Sequence, residues 1–186
     1  MVNKFKLHDN SGNLINEWKV KGVDEANFPL LGRTDIDGMQ FKDCTFRNLA
    51  FDTSCFDGCS FDNVIFEGVN FYSNFFMAST FDKVTMKAVN FFSCRMTDIT
   101  VSSSKFSNVK FNGTVVSNTL FKFSKLDRIS FLSSVYYGRA QILNVDFTQA
   151  EIDNIQFLET YYDSDTRFPR NVTVNEINGL HLIETD

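Results

Sequence analysis

The chain has 186 residues, enough for one domain, and its aromatics are lopsided, with 22 Phe against one Trp and five Tyr. A formal net charge of −5 excludes the basic footprint that nucleic acid or an anionic membrane surface would require. Polar residues interrupt it too often for a membrane span, and the first twenty residues lack a signal peptide's apolar segment, so a cytoplasmic protein is expected.

The first predicted element is a β-hairpin, with residues 5–7 and 14–20 flanking the turn-rich segment 9–13. Trp18 is expected to lie over the core that follows. Residues 23–31 read as a short helical turn broken by Pro29, so that 1–34 form an N-terminal cap. Then the pattern changes. Every fifth residue from Ile36 to Tyr136 is apolar, through Phe41, Phe46, Phe51, Phe56, Phe61, Phe66, Phe71, Phe76, Phe81, Met86, Phe91 and Met96 to Val101, Phe106, Phe111, Val116, Phe121, Leu126 and Phe131. This period is neither the 3.6 of a helix nor the 2.0 of a strand. Only a chain that turns a corner every five residues can send all these side chains to one place.

The residue two positions before each centre should also point inward and be small. Cys44, Ser54, Cys59, Val64, Val69, Ser79 and Cys94 fit, whereas Leu49 and Asn74 fit least well. Cys55, one residue before Phe56, should point outward. None of the four cysteines forms a CxxC, so no metal site is expected and a reducing compartment suits them. After Tyr136 the centres become Ile142, Phe147, Ile152, Phe157 and Tyr162, out of phase by one. A single residue inserted near 137–141, with Gly138 taking an awkward backbone conformation, accounts for the slip.

The phenylalanine ladder and its small partners resemble the pentapeptide repeat family. The resemblance implies an all-β fold: a right-handed quadrilateral parallel β-helix over residues 35–162, with a short N-terminal hairpin cap. One pentapeptide would form each side, with twenty residues per coil and coils about 4.8 Å apart. Phe41 would then stack under Phe61, Phe81, Val101 and Phe121, and Phe51 under Phe71, Phe91, Phe111 and Phe131. The segment 162–169 resembles those that close such domains, making 163–186 a C-terminal cap.

Residues with catalytic chemistry are sparse. His8 and His181 stand at opposite ends, outside the repeat, and no glycine-rich phosphate cradle occurs. The carboxylate pairs Asp35/Asp37 and Asp163/Asp165 sit beside turns, where Asp is favoured for local hydrogen bonds. Asn171, Val172 and Thr173 match a glycosylation sequon by pattern only. The chain reads as a non-enzyme without cofactor, metal or nucleic acid.

Outward positions also stack in columns, and one edge is more apolar than a solvated surface needs. It carries Tyr72, Phe75, Met77, Phe92, Val115, Leu132, Val135 and Tyr137, a candidate protein-interaction edge for a partner or a second copy of the chain. The resemblance offers an alternative, a DNA mimic that binds DNA gyrase or topoisomerase IV, as quinolone-resistance members do. That activity needs acidic columns along the axis. Here signs alternate, as in Lys42, Asp62, Asp82, Ser102 and Lys122, and no long inserted loop is visible. A rigid protein-interaction module is the first expectation and a type II topoisomerase the alternative partner.

Overall fold

A computed structural model describes residues 4–20, 22–26, 28–34, 36–172 and 179–183. The five-residue unit has a local cause. Three extended residues centre on the inward side chain, and the residue two after it takes a left-handed backbone, as at Asp43 (φ 50°), Asn48 (50°), Thr53 (49°), Asn63 (54°) and Ser73 (54°). This turn of the chain recurs at nearly every corner, even at Lys83 (φ 53°) and Phe123 (φ 51°). Such a conformation costs a side chain with a Cβ about 1–2 kcal/mol. The corners are held from the neighbouring coil: the amide of Thr53 donates to the Tyr72 carbonyl (2.8 Å), and that of Ser73 to Phe92 (2.8 Å).

Four corners close one coil, so parallel strands pair in a twenty-residue register: Phe41 with Phe61, Phe61 with Phe81, and Phe81 with Val101. About seven turns stack into a parallel β-solenoid. Rings one coil apart lie face to face, for example Phe51–Phe71 (5.4 Å, 8°), Phe71–Phe91 (5.0 Å, 7°) and Phe91–Phe111 (5.1 Å, 4°). Rings on successive sides meet nearly edge-on, at 70° for Phe41–Phe46 and 82° for Phe51–Phe56, which is the square cross-section seen from inside. We number the sides by their centres: first Phe41, second Phe46, third Phe51 and fourth Phe56.

Position two before the centre lines the interior with a polar ladder. Ser54 and Asn74 are buried there, and Asn74 fits because its amide serves three backbone groups. Its Oδ1 accepts from the Ser54 amide (3.0 Å), while Nδ2 donates to the carbonyls of Phe51 (2.9 Å) and Tyr72 (3.0 Å). Leu49 is simply buried. Cys44, Cys59 and Cys94 point inward as expected, and Cys55 is half-buried on the outside. All four are free. Burial pushes the thiols of Cys44, Cys55 and Cys94 up to about 12 and that of Cys59 up to about 11.

The ends are covered by the chain's own segments. The predicted hairpin is present as β1 (Lys4–His8) and β2 (Leu14–Lys19), antiparallel. Trp18 lies over the first coil, 6.5 Å from Phe46 and 6.4 Å from Phe51. The helical turn expected at 23–31 is not found among the described residues. Instead β3 (Gly22–Val23) pairs antiparallel with β4 (Pro29–Gly32), and β4 pairs in parallel with residues 50–52. Asp24 overrides the helix: its Oδ1 accepts the amides of Ala26 (2.9 Å) and Phe28 (2.8 Å), which ties a turn. Pro29 then opens a strand. At the other end Phe168 stacks on Phe147 (5.5 Å), and Asp163 accepts from the Asn144 and Thr166 amides, a turn cap. Asp35 and Thr173 lie outside the described residues.

The phase slip is larger than one residue. Val115 pairs with Gln141 and Phe131 with Phe157, so this coil spans twenty-six residues. Six residues, 134–139, leave the corner as a loop and return to it. Six and one are the same remainder of five, so the period alone does not separate them. Tyr136, which keeps the five-residue beat, is therefore not an inward centre: it is 88% exposed.

Phe71 touches five rings and is 1% exposed. Phe71→Ala is expected to cost about 3–5 kcal/mol in denaturant unfolding; a loss below about 1 kcal/mol would contradict the stacked core. Because the thiols are held protonated, native protein at pH 8 should react slowly with a disulfide reagent, and denatured protein rapidly at all four cysteines. Rapid native labelling of Cys44, Cys59 or Cys94 would mean that the inward ladder is open.

Candidate interaction edge

The corner between the third and fourth sides carries the apolar edge. Tyr72 and Phe92 occupy the same position on adjacent coils, and the register stacks their rings at 4.9 Å and 7°. Tyr137, from the loop, adds a third ring on Phe92 at 4.8 Å. The loop is a small hairpin in its own right, with Ser134 and Gly138 exchanging two backbone hydrogen bonds of 2.8 Å. Gly138, with φ 92°, makes its turn.

Contacts on both flanks seat the loop. The hydroxyl of Ser93 donates to the Tyr137 carbonyl (2.7 Å). Gly113 lies directly beneath, where an added Cβ would stand 2.0 Å from that carbonyl oxygen. The guanidinium of Arg139 sits 5.0 Å over the Tyr161 ring of the next coil. Ser133 accepts from the Ala140 amide (2.9 Å) and donates to the Glu159 carbonyl.

Asp24 closes the other end of the aromatic column. Its Oδ2 accepts from Asn70 (2.8 Å) and from the Tyr72 hydroxyl (3.4 Å), and Asn90 donates to Asn70 (2.8 Å). Burial first, then the Asp24 and Glu25 carboxylates, raise the Tyr72 phenol well above its usual value.

The structure brings the eight predicted residues to this corner but divides their roles. Tyr72, Phe92, Val115, Leu132 and Tyr137 are half-buried, and the ring contacts make three of them an internal floor. Phe75, Met77 and Val135 are exposed, Val135 at 96%. Tyr136 belongs with them and was hidden from sequence reasoning because its place in the five-residue beat assigned it to the core.

Little else in the described residues offers chemistry. His181 lies 3.4 Å from Glu159 on the last coil, while His8 is on the N-terminal hairpin. Ligand atoms of Asp37, Cys55 and Asp57 come within 4.8 Å of one another. However, Asp37 accepts from the Asp57 amide (2.8 Å) and Asp57 from the Met77 amide (2.8 Å), so both carboxylates brace the coils. Charges pair between coils: Lys42–Asp62 (3.5 Å), Lys83–Asp62 (3.9 Å), Arg47–Glu67 (2.8 Å) and Lys125–Glu151 (2.8 Å).

No protein-family model and no curated protein matches the chain. Among solved structures it is similar to full-length QnrB1, a plasmid-mediated fluoroquinolone resistance protein, at 12% identity and a TM-score of 0.42, over 83% of this chain and 93% of that one. It is also similar to HetL, a pentapeptide repeat protein involved in heterocyst differentiation regulation from the cyanobacterium Nostoc, at 6% identity and a TM-score of 0.28, over 87% of each chain. A third is the pentapeptide repeat protein Rfr23 from the cyanobacterium Cyanothece, at 5% identity and a TM-score of 0.21, over 75% of this chain and 90% of that one. At these identities and TM-scores none of the three speaks for a function. What the chain itself shows is the fold: an inward centre every fifth residue, a left-handed corner two residues later and four such units per coil make a parallel β-solenoid of the pentapeptide repeat type.

Proposed function

We propose that the protein is a non-catalytic, rigid interaction module, and that the partner of its apolar edge is a second copy of the chain. One observation carries this reading: Val135 and Tyr136 stand 96% and 88% exposed at the tip of a loop whose flanks are locked by Tyr137 and Arg139. Apolar groups held in water by a seated loop, on the same corner as exposed Phe75 and Met77, form the surface that protein contacts use. A reducing, cytoplasmic setting suits the four free cysteines.

The alternative, mimicry of DNA at a type II topoisomerase, requires an acidic strip along the axis. Interleaved pairs such as Lys42–Asp62 and Arg47–Glu67 alternate the sign from coil to coil, which favours the module.

Sedimentation velocity over a concentration series tests the proposal. Wild type should dimerise in the micromolar range, whereas Val135→Asp/Tyr136→Asp should keep its thermal midpoint and remain monomeric. Phe92→Asp is a poorer probe, because Phe92 is stacked on Tyr72 and covered by the tilted ring of Tyr137. Wild type that stays monomeric well above the micromolar range sinks self-association, and inhibition of gyrase supercoiling by the purified chain would move the reading to DNA mimicry.

Gly113→Ala is a separate test of the loop's seat. The added methyl must lift the Tyr137 carbonyl, at a cost of about 1–2 kcal/mol. Tryptic cleavage after Arg139 should accelerate and dimerisation weaken. Unchanged cleavage would show that the loop does not depend on this approach.

A further inference from the structure

The corner between the first and second sides lies diagonally opposite the apolar edge, and one residue on it breaks the pattern of its counterparts. Left-handed corners are held mostly by small or polar residues, Asn48, Asn63, Asn108, Asn118, Asn144 and Asn154 among them. Phe123, with φ 51°, is the one aromatic residue at such a corner among the described residues. Asn tolerates this backbone because its short side chain bonds locally, whereas a bulky residue there is an outlier. Phe123 gains no burial in return: it is 76% exposed and stacks on no other ring of the described residues. A side chain that is strained and covers nothing in its own chain is accounted for by a contact outside it.

The surface beside Phe123 has room for such a contact. Two residues on, Lys125 borders a groove of about 210 Å³ that crosses three coils of the second side. Its lining is almost entirely apolar, with Thr85, Met86 and Phe106 beside the carbon stems of Lys87, Lys105 and Lys125. Small-molecule sites run to roughly 300–1,000 Å³, so this groove suits a single apolar side chain. On the other flank of Phe123, half-buried Leu120 extends the apolar surface onto the first side.

Charge selects the kind of partner. Lys125 is held by Glu151 (2.8 Å) and Asp153 (3.5 Å), and Asp127, on the far rim, by Arg128 (3.0 Å) and Asn154 (3.3 Å). Among the described residues, Lys87, Lys105 and Lys122 pair with no carboxylate. Lys122 adjoins Phe123, and Lys105 lies one coil before Lys125. An apolar groove and an exposed ring therefore sit among unpaired cations, in a chain whose net charge is −5. A segment that carries an apolar side chain between carboxylates matches both features. Nucleic acid would leave the groove unfilled and would meet the Asp127 carboxylate and a chain of its own sign.

We propose that this corner is a second interaction surface, which takes a short, extended, acidic segment of another protein. An apolar side chain of the segment enters the groove, its neighbours cover Phe123, and its carboxylates pair with Lys87, Lys105 and Lys122. Three coils about 4.8 Å apart span ~10 Å, the length of about three extended residues. Because the two corners are diagonal, a self-associated pair would still present this surface, and the proposal stands independently of the apolar edge.

The test uses the full chain as bait for a display library of random twelve-residue peptides, with the Phe123→Asn variant as counter-bait. Peptides retained by wild type alone should carry a large apolar residue among carboxylates. In fluorescence anisotropy such a peptide should bind Phe123→Asn and Lys105→Gln about tenfold more weakly than wild type, as expected for loss of an interface anchor. Added salt should weaken wild-type binding. The Val135→Asp/Tyr136→Asp variant should bind as wild type, whatever its state of association. Phe123→Asn should also keep or raise the thermal midpoint, since Asn suits the corner; a lowered midpoint would make Phe123 a structural residue and overturn the proposal. So would the absence of peptides that distinguish wild type from the counter-bait, or equal binding by Lys105→Gln. Tighter binding of an oligothymidylate with the same residue dependence would overturn it in favour of a nucleic-acid surface.

Discussion

Everything in this molecule depends on the left-handed corner being held by a neighbouring coil. Taken singly, a non-glycine residue at positive φ is unfavourable, and the chain adopts one about every five residues. In the twenty-residue coils corner residues such as Thr53, Ser73 and Ser93 give their amides to carbonyls nineteen residues later, and the strand beside them pairs at twenty. One coil alone would carry the strain without these bonds. The fold is therefore a property of stacked coils, as in other solenoids whose units contact only their neighbours. The aromatic columns follow from the same constraint, because a fixed register brings like residues face to face and turns successive ones edge-on.

The constraint also decides how the chain can accept extra residues. One added residue inside a coil would displace the next corner from its partner and undo the register beyond it. Six residues can leave and return at a single corner if they close their own hydrogen bonds, as Ser134 and Gly138 do. Ala140 then resumes the inward position that Thr114 holds one coil earlier, and both are fully buried. The insertion is thus invisible to the core.

This separates what was legible in the sequence from what was not. The period, the inward centres and the small inward partners are direct consequences of the corner, so they appear in the residue order. The size of the insertion does not, because the pattern reports position only in multiples of five. Tyr136 kept the beat by coincidence. Asn74 looked misplaced because its three partners lie on backbone groups that only the coil brings near. Residues 23–31 misled for a similar reason: the side chain of Asp24 ties a local turn and also reaches Asn70, forty-six residues away. Of the candidate edge, sequence placed the residues on one corner but could not distinguish floor from tip, since Tyr137 lies forty-five residues from Phe92.

That division gives the outer surface its logic. An aromatic column on a solvated side would stay exposed unless something covered it, and here the chain covers it from both ends. Asp24 bonds the Tyr72 hydroxyl, the tilted ring of Tyr137 packs on Phe92, and Gly113 lets the loop backbone approach closely enough for that contact. The column is therefore structural, and the burial it provides is what makes the loop a defined object instead of a loose excursion. A seated loop can hold Val135 and Tyr136 in water with little entropy left to lose on docking, and ordering an interface loop is one of the main costs of association. The features that make Tyr72, Phe92 and Tyr137 unavailable to a partner are thus the ones that make their exposed neighbours suited to one.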